Sequence, residues 1–277
     1  MSNKSTSRIT HVLCMLALAA GLLACEQNAT ADSASIAATP KSSAPIIASP
    51  DVAATKALDI ITNIPDFAAY KDVKAKKSAF FNFMAPMIQT ENKTIFANRQ
   101  WLQSLQANAL NTADHARLQK LAKHYKVDIS DNLDAMVTKL LSRVDIVPVS
   151  MVLAQSANES AWGTSRFAKQ GLNFFGQWCF SKGCGIVPSQ RSTGMHHEVR
   201  RFASVNESVA AYLVNLNTNR AFKKFRNIRA VKRSEHAKLT GHDLMAGLIN
   251  YSERKEAYIK EIRSMIRFNK LSQYAIQ

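Results

Sequence analysis

The sequence predicts a mainly α-helical protein with one small β insertion. From Phe80 to Ala157 the apolar residues recur at helical spacing in successive segments. Between Gly176 and Phe202 that spacing gives way to Trp178, Phe180, Ile186, Val187 and Val199 scattered among Gly, Ser, Pro and Lys, the composition of a small β-hairpin lobe. Ser204-Val-Asn-Glu207 then has the form of a capping box, and helical spacing resumes.

In chain order, Lys4 and Arg8 precede an apolar run from Val12 to Ala24. The run is too short to span a bilayer, so residues 1–24 are expected to be a signal peptide. Leu22-Leu23-Ala24-Cys25 resembles the lipobox of bacterial lipoproteins, in which Cys25 becomes the acylated first residue. The alternative is an ordinary signal peptide cut elsewhere, with Cys25 an unpaired thiol. Glu26 follows in place of an Asp retention signal, and by that analogy a Gram-negative source would carry the protein on its outer membrane, facing the periplasm. Residues 25–55 are Ala, Ser and Thr with Pro40, Pro45 and Pro50. Such a segment cannot offset its ordering entropy and is expected to be a disordered tether. It would average roughly 30 Å end to end and reach about 100 Å when stretched.

Residues 56–146 are expected to form a helical extension. Leu58 to Lys76 is basic, loosely periodic and interrupted by Pro65; Phe80, Phe81, Phe83 and Met84 open an apolar patch that continues through Met87 and Ile88. Trp101, Leu102, Leu105 and Leu110 share one face of a helix. Ala113 to Tyr125 follows with Leu118 and Leu121 inward, then Leu133 to Val144 with Met136, Val137, Leu140 and Leu141. These helices are expected to cap the next one, Pro148 to Ala157, whose apolar side carries Val149, Val152, Leu153 and Ala157. After the β lobe, a helix runs through Asn215 with Val209, Leu213 and Leu216 inward. Two more are expected around Asp243 to Asn250 and Glu256 to Asn269.

Glu159 ends the buried helix and is followed by Ser160, Ala161, Trp162 and Gly163. Burial beside an indole disfavours the charged carboxylate and raises its pKa, as a general acid near neutral pH requires. The alternative is a solvated Glu at a helix end. Four cysteines are present. With Cys14 in the signal and Cys25 acylated, Cys179 and Cys184 remain, separated by Phe-Ser-Lys-Gly. That spacing suits a disulfide in an oxidising compartment. Two Cys with no matched second pair do not make a zinc site, although His196 and His197 lie downstream, and no metal or cofactor is expected.

Glu159-Ser-Ala-Trp-Gly-Thr-Ser-Arg-Phe-Ala168 followed by Asn173-Phe-Phe-Gly176 resembles the signature of the glucosaminidases of glycoside hydrolase family 73. Gln177-Trp-Cys-Phe180, Gly183-Cys-Gly185, Asn215-Leu-Asn-Thr218 and Tyr251-Ser-Glu-Arg254, in this order, are similar to the Bax-like subgroup. The resemblance covers Val147 to Leu271 and implies a lysozyme-like helical domain over residues 147–277 that hydrolyses peptidoglycan after GlcNAc. It departs at Ala161, where many relatives carry Gly.

The resemblance implies Glu159 as general acid. It places a second Glu in the β lobe, where Glu198 is the candidate as base or electrostatic partner; the alternative is a surface salt-bridge residue. Tyr251 resembles the family's active-site Tyr, with a core tyrosine as the alternative. Trp162 and Phe175 are candidates to line a sugar groove, Trp162 otherwise desolvating Glu159. Gln155 and Asn158 are candidates to bind substrate or orient the acid, and Asn173 to shape a turn.

The net charge is +16, and Arg220 to Lys238 holds eight basic residues against the single acidic Glu235. The export signals set nucleic acid aside as a partner and favour steering towards envelope polyanions, or else a solvated helix face. The expected partners are peptidoglycan strands and, through Cys25, a membrane; the protein is expected to act as a monomer. Two competing functions remain: a lytic transglycosylase on the same scaffold, and a non-catalytic lipoprotein that binds peptidoglycan.

Overall fold

The computed structural model describes residues 59–105, 110–189, 191 and 194–275. The expected signal peptide, Cys25 and the whole of the expected tether lie outside them. Helix α1 (Val73–Ser104) opens at Asp72, whose carboxylate accepts the Ala75 N–H at 2.7 Å, and continues through Pro86. It buries Phe80, Phe81, Met84, Ile88 and Ile95. The separate helix expected over Trp101, Leu102, Leu105 and Leu110 is not formed. Trp101 and Leu102 belong to the last turn of α1, and Leu105 is already extended. Helix α2 (Thr112–His124) starts at a full capping box between Asn111 and Asp114, and α3 (Leu133–Arg143) is capped by Asn132.

Helix α4 (Val149–Glu159) is buried at every position from Val149 to Ala157. An all-round apolar helix must be enclosed, and α1, α9 and the C-terminal turn pack around it. Helix α5 (Arg166–Gly171) leads into the β lobe. There β1 (Trp178–Cys179) and β2 (Gly185–Ile186) both pair antiparallel with β3 (Glu198–Arg200), in the order β1-β3-β2. The lobe is therefore a three-stranded sheet and not the expected hairpin. A disulfide between Cys179 and Cys184 closes the loop joining its two outer strands. Both sulfurs are thereby bonded to each other, and a disulfide offers no thiolate to a metal.

Helix α6 (Val205–Thr218) starts at Ser204, whose hydroxyl accepts the Glu207 N–H. The expected capping box is displaced by one residue, because the Glu207 carboxylate takes the Ala203 N–H. Helix α7 (Lys223–Ser234) follows. The helix expected from Asp243 to Asn250 is a short α8 (Gly241–Leu244) running into a 3-10 turn (Met245–Leu248). Helix α9 (Lys255–Phe268) and a last 3-10 turn (Leu271–Tyr274) complete the order. One apolar core takes residues from α1, α2 and α3 together with those of α4, α6 and α9. The chain before α1 joins it through Phe67, which meets Phe80 and Phe83 edge to face. Ile61 exchanges hydrogen bonds with the start of α6.

The N-terminal end of α4 is fixed by a buried charge cluster. Asp145 is 3 % exposed at its side chain and faces Arg99, Arg229 and Arg233 at 3.6, 3.7 and 2.8 Å. Three guanidinium groups around one carboxylate leave excess positive charge in the interior. Arg229 offsets it by donating to the carbonyls of Asp145 and Ile146 and to the Asn217 side chain. Burial brings its guanidinium down to about 10, the Asp145 charge opposing that fall. Asn92 adds a buried two-way bond with the Val147 backbone. Three of the eight basic residues between Arg220 and Lys238 thus serve the fold: Arg229 and Arg233 here, and Arg226 on the carbonyls of Leu216 and Asn219.

Burial alone would push the Asp145 carboxyl up, but the Arg233 hydrogen bonds and the charges of Arg229, Arg99 and Arg233 outweigh it and hold the group low. A folded-state pKa below the unfolded value of about 3.9 gives stability that is complete above that value and lost as pH falls through the folded pKa. Asp145→Ala should cost about 3–5 kcal/mol, read by urea unfolding, because it strands buried guanidinium groups. Asp145→Asn should flatten the acid limb of stability against pH; an acid limb unchanged from the parent would contradict this role.

Candidate active site

Glu159 sits where α4 reaches the surface. Its helix end carries the negative pole of the backbone dipole, which disfavours a carboxylate. Burial pushes the Glu159 carboxyl up. Hydrogen bonds from Tyr258 and Asn158 oppose that, the charge of Glu261 adds to it and Arg254 draws it back, and the net position is raised.

The donors come from three helices. Tyr258 on α9 donates to Glu159 Oε1 at 2.8 Å, and the Asn158 amide lies 3.4 Å from the same oxygen. Gln155, one turn earlier on α4, donates through Nε2 to the Tyr258 hydroxyl at 3.1 Å. Its Oε1 accepts from Tyr212 on α6 at 2.5 Å. The result is a directed chain, Tyr212 to Gln155 to Tyr258 to Glu159. Burial and the Glu159 charge push both phenols well above their ordinary range, so each stays protonated and able to donate.

Tyr251 stacks on Tyr258 with centroids 5.4 Å apart, and its own phenol is also pushed well up by burial. The structure therefore brings Tyr251, Gln155 and Asn158 together around Glu159. Gln155 is fully buried and both ends of its amide are committed to the two tyrosines, which leaves none of it exposed to a sugar. Phe175 is 3 % exposed and stacks face to face on Tyr212 at 4.0 Å; it walls the tyrosine cluster and leaves no face for a sugar.

Glu198 is not joined to the Glu159 group by any described contact. Its two oxygens accept the N–H groups of Gly183 and Gly185 at 2.9 and 2.7 Å, and those bonds hold its carboxyl below the ordinary range. It pins the disulfide loop to β3. Asn173 acts as a turn residue: it accepts from the N–H groups of Phe175 and Gln177 and donates to the carbonyls of Gln177 and Arg200.

The turn after Glu159 is wound against its natural hand. Ala161, Trp162 and Gly163 all have positive φ, at 49°, 60° and 75°. Ser160 holds them by accepting the Gly163 N–H at 2.8 Å, and the Trp162 N–H reaches back to the Ala157 carbonyl. At Gly163 a Cβ would also stand 2.5 Å from the Phe67 ring, so glycine is required twice over. This winding turns Trp162 away from its helix, edge-on to Phe80 and Phe81 at 5.7 and 5.3 Å.

Tyr212 and Tyr258 join the site from outside the candidates named from the sequence. Tyr258 stands seven residues after Tyr251 in the same Tyr-rich segment, and Tyr212 shares the inward face of Val209 and Leu213. Those positions were the available signal.

A carboxyl raised above its ordinary range at the surface end of an enclosed helix, with tyrosine donors behind it, has the groups that a proton-donating site requires. Consistent with that, a family model described as mannosyl-glycoprotein endo-beta-N-acetylglucosaminidase matches residues 134–271. The chain belongs to the glucosaminidase family. Among its relatives is Protein bax of Escherichia coli (strain K12), 37% identical over 210 residues that make up 75% of each chain. No solved structure matches the chain.

Two outcomes follow from this geometry. Tyr258→Phe removes a bond that stabilises the carboxylate, so the Glu159 pKa should rise further, visible in an NMR titration of the side-chain carboxyl; a fall would contradict the chain as drawn. Ala161→Gly should stabilise the fold by about 1 kcal/mol in thermal unfolding by relieving a left-handed alanine. No gain would mean that the turn carries no strain at that residue.

Proposed function

We propose that the protein hydrolyses peptidoglycan at the β-1,4 bond following GlcNAc, with Glu159 as general acid. The observation that carries this reading is the raised Glu159 carboxyl at the end of a buried helix, with Tyr258 bonded to one oxygen and no hydrogen bond to the other among the described residues. In the reaction Glu159 gives its proton to the leaving glycosidic oxygen as the C1–O bond breaks; water then adds its hydroxyl to C1 and its other proton passes to the Glu159 carboxylate, restoring the acid. Tyr258 then donates to the carboxylate that remains, and the Tyr212–Gln155 bond fixes the phenol in place. Tyr251, stacked on Tyr258, keeps its hydroxyl on the same side of the site, within 3.5 Å of the Phe175 carbonyl, and supports the reacting centre.

Glu198 is assigned the electrostatic role, a constant negative charge in the β lobe, and not that of a base. A carboxylate with both oxygens bonded and a lowered pKa makes a poor base. That commitment of Glu198 favours one second reading, a lytic transglycosylase, in which a hydroxyl of the substrate attacks C1 and no protein base for water is needed. Family membership and the similarity to Protein bax support a glycan-cleaving role for the domain. The expected signal peptide and lipobox support an envelope lipoprotein held at the outer membrane through Cys25, where peptidoglycan is within reach of the tether.

The test is mass spectrometry of borohydride-reduced products after incubating the protein with purified peptidoglycan. Reduced GlcNAc ends are expected, and Glu159→Gln should lower their yield by about 10²–10⁴-fold with the fold intact by circular dichroism. Anhydro-MurNAc ends would establish the transglycosylase instead. Binding to the polymer without new ends would replace both with a binding role.

A further inference from the structure

A groove of about 330 Å³ lies beside the Glu159 site, between the first turns of α1 and the last turns of α9. Lys77, Trp162, Glu261, Ser264, Phe268 and Asn269 border it. It joins the site at two points. Trp162 belongs to the left-handed turn that follows Glu159, and the Glu261 charge acts on Glu159 itself.

Two features of the groove stand outside the apolar core. Phe268 is 79 % exposed at the end of α9, although Ile262 and Ile266 on the same helix are buried in the core. The Lys77 ammonium sits 5.2 Å from the Trp162 centroid and 5.3 Å from the Phe268 centroid, held between two aromatic walls. Cation–π attraction fixes the charge in place without neutralising it. The carboxylate in the groove does not neutralise it either, because Glu261 is paired with Arg254 at 2.6 Å. Among the described residues Lys77 has no acidic partner.

A fixed cation with apolar walls and a hydroxyl at its rim suits an anion attached to a partly apolar body. Peptidoglycan presents such a group: stem-peptide carboxylates branch from the glycan that the neighbouring acid would cleave. We propose that this groove is a subsite for the stem-peptide carboxylate of peptidoglycan, with Lys77 as its counter-charge and Trp162 and Phe268 as its walls. This rests on the peptidoglycan reading above and adds to it that the enzyme distinguishes peptide-bearing strands from bare ones. The aromatic walls thin the water around the ammonium and strengthen its pull on a carboxylate.

The experiment compares the full-length protein with Lys77→Gln and Lys77→Arg on two substrates, intact glycan strands and strands stripped of their stem peptides. Lys77→Gln should raise the ratio of KM on intact strands to KM on stripped strands about tenfold, and Lys77→Arg should largely restore it. A ratio unchanged by Lys77→Gln would overturn the subsite. Should the parent cleave neither substrate, the hydrolase reading fails on its own. The subsite is then judged by equilibrium binding of a soluble disaccharide-peptide and of the same molecule with its carboxylates converted to amides. Weaker binding of the amide by the parent, and equal binding of both by Lys77→Gln, upholds it. Equal binding of both by the parent, or binding displaced by inorganic phosphate and indifferent to amidation, overturns it.

Discussion

Helix α4 shows no face to solvent from Val149 to Ala157, and the site follows from that enclosure. A buried side chain with a donor and an acceptor must find partners for both or cost several kcal/mol. Gln155 is such a group, and it is satisfied by phenols from two other helices, Tyr212 on α6 and Tyr258 on α9. Tyr258 still has its own proton to place, and Glu159, one turn further along α4, receives it. Helix packing and site geometry are thus one problem with one solution. Whatever moves α9 relative to α4 changes the hydrogen bond on the acid.

Both ends of α4 are fixed, by different means. At the start, Asp145 gathers guanidinium groups from α1 and α7, and Asn92 pairs with the backbone of Val147. At the finish, the chain leaves through residues of reversed handedness held by Ser160 and pressed against Phe67 and Phe80. Left-handed backbone at Ala161 and Trp162 is unfavourable and persists because the surrounding contacts over-determine it. In return, the carboxyl stands at the end of its helix and the indole faces α1. The helical extension is therefore part of the site, since Phe80, Phe81 and Lys77 on α1 decide where Trp162 rests.

Local pattern made much of this legible in the sequence. Apolar spacing placed α2, α3, α4 and α9, and Ser204 with Glu207 announced α6. The Glu159 segment stood out because a carboxyl is unusual at the end of so apolar a run. What escaped was long-range. Helix α7 is so rich in Lys and Arg that only Phe225 and Arg229 are buried, and Arg229 is buried because Asp145, far away in sequence, receives it. The unbroken length of α1 escaped because Gln89 to Thr94 offers no apolar residue to carry the pattern on from Ile88. The sheet order escaped because β1 and β2 do not pair with each other but each with β3, across a long intervening loop. Nothing local in the sequence marks Tyr212 or Tyr258 as partners of Gln155; only the fold brings both hydroxyls to it. The basic run from Arg220 to Lys238 likewise suggests polyanion steering or a solvated helix face, whereas its Arg226, Arg229 and Arg233 fasten the fold to backbone carbonyls and to Asp145.

A crystal structure of the Glu159→Gln variant with a peptidoglycan fragment bound bears most directly on Glu159 as proton donor. A glycosidic oxygen is expected within about 3 Å of the side chain at position 159, on the side not taken by Tyr258. A fragment bound with its glycosidic oxygens out of reach of that side chain would contradict it, however tightly the fragment were held.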